Sequence, residues 1–254
     1  MVPEEQSVYL VTGATRGIGR ELVKQLSSNV DVQVIAAVRT LDSIQTKSLK
    51  VDFPRVVVVK IDSEVDTDPS EAVKKLTSLG IKKVDTIFAN AGLYIDAGDA
   101  VNVKAEQLRQ LFNVNAIAPL LLFQAFKSLM EKSLTPRFIS LGTGAASLTN
   151  QASLPFKTTC YGTSKAALNF IAVRLAIENT NIITVIVHPG IVDTDMGAGA
   201  VVGIGQTMEA VIESGMGVTV EHSVKNVIQV AKKSTLKDTS GQFIDANSGQ
   251  VIPW

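Results

Sequence analysis

A phenol and a primary amine stand four residues apart in Cys160-Tyr161-Gly162-Thr163-Ser164-Lys165-Ala166-Ala167-Leu168, a spacing that puts both on one face of a helix. An unperturbed phenol titrates near ~10, but a cation within roughly 4–6 Å favours the phenolate and lowers the pKa by about 1–3 units. Tyr161 and Lys165 can therefore exchange protons as a general acid or base near neutral pH. The same spacing also describes many solvated helix faces, so the chemistry needs a second component elsewhere in the chain.

That component lies near the N-terminus. Val8-Tyr9-Leu10-Val11 reads as a short buried strand running into Thr12-Gly13-Ala14-Thr15-Arg16-Gly17-Ile18-Gly19, and Glu21 to Leu26 has helical spacing. Strand, glycine-rich turn and helix make a phosphate cradle: Gly13, Gly17 and Gly19 allow a tight turn and close backbone approach. The helix N-terminus adds unpaired N–H groups and the positive end of its dipole, so Thr15, Arg16 and Ile18 also become candidate cofactor contacts.

The next strand, Val32 to Val38, ends at Arg39, where the identity of one side chain selects the cofactor. An acid there would bind the adenosine ribose hydroxyls, whereas an arginine pairs with a 2′-phosphate, and Arg16 offers a second guanidinium. A third strand, Arg55 to Ile61, ends at Asp62, whose carboxylate either accepts from an adenine amino group or opens the following helix. Glu71 to Leu79 is an amphipathic helix stopped by Gly80. The fourth strand, Val84 to Ala89, leads into Asn90-Ala91-Gly92, small residues against which a cofactor can lie, although a plain strand-ending turn would look similar.

In the second half, Leu108 to Leu129 predicts a long helix bent or broken at Pro119. Asn115 inside it must either bind backbone or water or face a functional cavity. The fifth strand, Arg137 to Leu141, gives way to Gly142-Thr143-Gly144-Ala145-Ala146-Ser147, so the hydroxyls of Thr143 and Ser147 are candidates for a substrate oxygen and equally for turn formation. The Tyr161 helix runs to about Ile177, and the sixth strand, Ile182 to Val187, stops at His188-Pro189-Gly190 and turns the chain so that Thr194 approaches the pocket. Residues 197–217, rich in glycine and methionine, suit a mobile substrate lid. A helix over Glu221 to Lys233 and a short strand over Gly241 to Ile244 complete the chain.

With 254 residues and 46% hydrophobic content the chain can bury one large core, and a single α/β domain over residues 1–254 is expected. A net charge of zero speaks against a nucleic-acid footprint or a polybasic membrane surface. Cys160, the single cysteine, excludes an intramolecular disulfide and a cysteine-cluster metal site; beside Tyr161 it reads as pocket wall. His188 and His222 are the only histidines, so no metal site is expected. There is no signal peptide pattern and no apolar run of the ~20 residues needed for a membrane span, which makes the cytoplasm the default compartment.

Thr12 to Gly19, Asn90-Ala91-Gly92, Asn115, Tyr161 with Lys165, and Pro189-Gly190 through Thr194 occur in an order and spacing that resembles the short-chain dehydrogenase/reductase family across nearly the whole chain. Within it, Tyr161 to Asn169 and the ending Gly241 to Trp254 are similar to the small NADP-dependent carbonyl reductases of the cell-signalling factor and fungal ketoreductase type. The resemblance implies a Rossmann-type, doubly wound parallel sheet of about seven strands in a three-layer α/β fold. It implies that Tyr161 is the proton donor, that Lys165 holds the nicotinamide ribose and lowers the phenol pKa, and that Asn115 anchors a water linking Lys165 to solvent. Pro189, Gly190, Val192 and Thr194 would lie against the nicotinamide. At the family's usual serine spacing stands Leu148; aligning the strand end instead gives the serine's role to Thr143, which keeps the hydroxyl and adds a methyl. The implied function is reduction of a small-molecule ketone or aldehyde with NADPH, by a homo-oligomer. The alternative is a non-catalytic NADP(H)-binding regulator on the same fold.

Overall fold

Strands that read as unbroken apolar runs belong in a sheet covered on both faces, because each face then packs against helices. The computed structural model describes residues 6–95, 98–154 and 157–254. A seven-stranded parallel sheet is built from β1 (Ser7–Thr12), β2 (Val32–Val38), β3 (Val57–Lys60), β4 (Thr86–Ala89), β5 (Arg137–Leu141), β6 (Ile183–His188) and, last in sequence, β9 (Phe243–Asp245). The spatial order is β3-β2-β1-β4-β5-β6-β9, so the direction of winding reverses between β1 and β4. A cleft opens beyond the carboxyl ends of the strands at such a reversal.

The two-residue period of a strand divides the core. Val34, Ala36 and Val38 of β2 pack with Leu22, Val23 and Leu26 of α1 (Gly17–Ser27) and with Val224 and Val227 of α9 (Val220–Lys233). Ile35 and Ala37 point the other way, into a layer with Leu76 of α3 (Asp68–Ser78) and Leu122, Phe123 and Phe126 of α5 (Ala118–Met130). Among the described residues no helix is long and apolar enough to cross a membrane.

The structure adds two elements to those expected and departs in a third, the helix predicted over 108–129. A helix, α2 (Ile44–Asp52), follows Arg39; only Thr46 and Leu49 of it are buried, too weak an apolar stripe to read from sequence. The long helix predicted over 108–129 is α4 (Ala105–Phe112), a π-turn at Asn113–Ile117, and α5; the break falls around Asn115, while Pro119 sits in the first turn of α5, where its missing N–H costs nothing. The 197–217 stretch holds most of α7 (Asp195–Val202), α8 (Met208–Glu213) and the first residue of β8 (Gly217–Val218), which pairs with β7 (Ile191–Val192). The Tyr161 helix, α6, spans Thr159–Glu178.

Candidate active site

The turn after β1 is held from across the sheet. Thr12 Oγ1 accepts from the Asn90 and Ala91 N–H groups at 3.0 and 2.9 Å, and the Asn90 amide donates to the Thr12 carbonyl at 2.8 Å. Gly13 and Gly17 take φ of +64° and +52°, open to glycine without strain, and a Cβ on Gly19 would overlap the Gly13 carbonyl oxygen. No side chain caps α1, so its first N–H groups face the cleft without an internal acceptor. The turn thus fits a pyrophosphate.

Arg39 is exposed at the end of β2 and lines the same cleft with Thr40 and Ser43, and its guanidinium has no partner among the described residues. Arg16 lines the same cleft and faces Asp195 at 3.5 Å, with both side chains more than 70% exposed (73% and 86%), a pairing worth little. Asp62 neither opens α3, which Thr67 precedes, nor stays uncommitted; Oδ1 accepts from the Glu64 N–H at 3.1 Å and closes a tight turn on the cleft wall.

Tyr161 and Lys165 project from the first turns of α6 into this cleft. Lys165 is buried, and its Nζ donates to the Leu141 carbonyl at the end of β5 at 2.8 Å. Burial brings its pKa down from 10.5 to about 8. Nζ lies 6.0 Å from the centre of the Tyr161 ring, which meets the Tyr94 ring edge-on with centroids 5.3 Å apart. The expected lowering of the phenol does not emerge in this site: burial, and secondarily Tyr94, push the Tyr161 pKa upward. Both effects favour the protonated phenol.

Thr143 follows β5, and its Oγ1 accepts from the Ala145 N–H at 3.3 Å, which closes a 3₁₀ turn over Gly144–Ala146. Ser147 is fully buried and bonds Asn150, away from the cleft. Asn115 sits behind the wall: its amide exchanges two hydrogen bonds, both 2.8 Å, with the Leu93 backbone and donates to Ser164 Oγ at 3.0 Å. Both of its side-chain N–H groups are thereby used, while Oδ1 keeps a second lone pair. Cys160 is buried, and burial pushes its thiol pKa up, away from nucleophilic chemistry.

One cavity of about 630 Å³ is lined both by Gly13, Thr15, Arg16, Gly17, Ile18 and Gly19 of the turn and by Thr143, Tyr161 and Lys165. Arg39, Asp62, Asn90, Ala91 and Gly92 line it as well, as do Pro189, Gly190, Val192 and Thr194. Of the singled-out residues Asn115, Ser147 and Cys160 are absent from the lining, so Cys160, buried in the protein, does not form the pocket wall that its place in the sequence suggested. Thr12, Leu93, Tyr94 and Ser164, which brace this wall, were not legible as site residues; a hydroxyl directly before the glycine turn is the one local signal that pointed to Thr12.

The model of the short chain dehydrogenase family matches residues 7–202. Norsolorinic acid ketoreductase of Aspergillus parasiticus is 31% identical over 258 residues, covering 99% of this chain and 93% of that one. Its counterpart in Emericella nidulans is 33% identical, covering 99% and 95%. The NADPH-bound carbonyl reductase from chicken fatty liver superposes with a TM-score of 0.86 at 27% identity, over 98% of this chain and 100% of the other. A doubly wound sheet with a glycine-turn cradle and Tyr161 and Lys165 in its cleft, matched in this way along its length, makes the chain an oxidoreductase of the short-chain dehydrogenase family.

Proposed function

We propose that the protein reduces a ketone or aldehyde to the alcohol, with NADPH as hydride donor. The observation that carries this reading is that Tyr161, Lys165 and Thr143 line the same cavity as the glycine turn and the unpartnered Arg39. NADPH, when bound, supplies the hydride.

Thr143 Oγ1 already accepts from Ala145, which leaves its hydrogen to donate to a substrate oxygen. Tyr161 donates beside it and transfers its proton to that oxygen as negative charge develops there. Its raised pKa suits this role, because the phenol stays protonated until an alkoxide-like acceptor forms. Lys165, cationic below about 8, holds positive charge 6.0 Å from the centre of the phenol ring and would hold the ribose of the bound cofactor. Arg39 takes the 2′-phosphate. Leu93, Met196 and Ala200 line the cavity, which suits a medium-sized, largely apolar substrate, with α7 and α8 as its lid. The names of the fungal ketoreductases and of the NADPH-bound avian carbonyl reductase support the same reading. A cytoplasmic homo-oligomer is the expected assembly, checked by light scattering.

The test is NADPH oxidation, followed by absorbance, against a panel of ketones, aldehydes and diketones. Turnover that disappears in Tyr161→Phe while NADPH still binds supports the assignment. NADPH binding without oxidation of the cofactor by any panel member would favour a nucleotide-binding regulator instead.

A further inference from the structure

His188 ends β6 and lines the cavity, yet nothing in the proposed reduction uses it. Its imidazole lies against the turn that follows Thr143: a Cβ built on Gly144 would stand 3.7 Å from Nε2 and 3.9 Å from Cδ2, so glycine there leaves room for the ring edge. Nδ1 is buried with no hydrogen-bond partner, whereas Nε2 is not buried in this way and bonds no protein group among the described residues.

A neutral imidazole carries one N–H. Placed on Nδ1 it would be a buried orphan donor; placed on Nε2 it reaches the cavity, and only a lone pair is left inside. Burial also holds the ring neutral by pushing its pKa down. The one charged neighbour that opposes this is Asp245, which faces His188 in register from β9 and whose Oδ1 accepts from the Asn247 N–H at 2.8 Å. The wall beside Thr143 therefore carries an uncharged N–H donor in addition to the hydroxyls of Thr143 and Tyr161 that line the same cavity.

We propose that His188 Nε2–H binds an acceptor oxygen of the substrate other than the carbonyl being reduced, so that the site prefers carbonyl compounds with a second oxygen. This rests on the carbonyl-reduction reading and names its substrate class. A site built to donate to a substrate oxygen discriminates against the analogue lacking it, because its donor is then left unpaired.

The experiment compares 1-phenyl-1-propanone with 1-phenyl-1,2-propanedione in the wild type, His188→Phe and His188→Gln. His188→Phe is expected to lower kcat/KM for the dione by roughly tenfold or more, mainly through KM, with little change for the monoketone. His188→Gln, which keeps a donor, should restore most of the loss, and NADPH affinity measured by fluorescence should stay at the wild-type value. Equal losses on both ketones, or none on the dione, overturn the proposal. If the phenylalanine variant does not fold, the glutamine variant decides: wild-type discrimination between the two ketones must persist in it. A wild type that oxidises NADPH with neither ketone nor any other carbonyl removes the reduction reading and this proposal together, an outcome separate from any mutant phenotype.

Discussion

Lys165 Nζ donates to the Leu141 carbonyl oxygen at 2.8 Å, so one buried ammonium ties the helix that carries Tyr161 to the strand that ends two residues before Thr143. Its pKa is lowered to about 8 because the charged form is buried, and this has a stability consequence. Between about 8 and 10.5 the unfolded chain binds the Lys165 proton and the folded one does not, so stability from this group rises with pH across that window and the burial cost is fully present below it. The difference in unfolding free energy between the wild type and Lys165→Met, measured by urea titration at pH 7.5 and 9.5, should shift toward the wild type by about 1–2 kcal/mol at the higher pH. Taking the difference cancels Cys160 and the tyrosines, whose raised pKa values act in the opposite direction. A pH-independent difference would rule out a depressed Lys165.

Thr143 lines the same cavity as Tyr161 and carries its hydroxyl on a stiff β-branched side chain whose oxygen also accepts from the Ala145 N–H. Thr143→Val preserves shape and removes the donor, and should lower kcat by roughly 10²-fold while NADPH affinity is unchanged. Thr143→Ser should keep activity within about tenfold of the wild type. Steady-state kinetics on both variants separates a catalytic hydroxyl from a mere turn former, for which serine and valine would differ only in stability.

Arg39 stands at the end of β2 without a partner among the described residues, whereas Arg16 faces Asp195. Arg39→Asp should therefore weaken NADPH binding by about 10²-fold or more and leave NADH within a few-fold. Arg16→Ala should cost NADPH far less. Fluorescence titration with both cofactors reads the two effects, and parallel losses of NADPH and NADH in Arg39→Asp would remove the phosphate role.

Asn115 gives both faces of its amide to the Leu93 backbone and a further bond to Ser164. Asn115→Leu leaves a buried N–H and a C=O unpaired and should destabilise the protein by about 2–4 kcal/mol. A denaturant midpoint close to that of the wild type would show that these bonds are replaced by solvent, and that Asn115 acts elsewhere.

How far the chain could be read depended on whether the signal was local. The glycine turn, the strand before it and the Tyr161–Lys165 spacing declare themselves, because tight turns need glycine, buried parallel strands need apolar runs, and a helix puts residues four apart on one face. β2 was legible to the residue, Val32–Val38, since both of its faces are buried. α2 was not, because a helix with only Thr46 and Leu49 buried has no stripe to recognise.

Asn115, His188 and Lys165 mark what sequence could not decide. That Asn115 breaks its helix with a π-turn and spends its amide on Leu93 depends on a segment 22 residues away in sequence, and no local preference encodes such a pairing. Whether Lys165 lowers the Tyr161 pKa or burial raises it depends on how deeply α6 packs against β5, and here desolvation is the larger effect. Residue types and spacings determined the fold family and the kind of chemistry on offer. Only the folded chain decided which side chains are left free to meet a ligand, because burial and long-range hydrogen bonding consume polar groups without regard to their distance along the sequence.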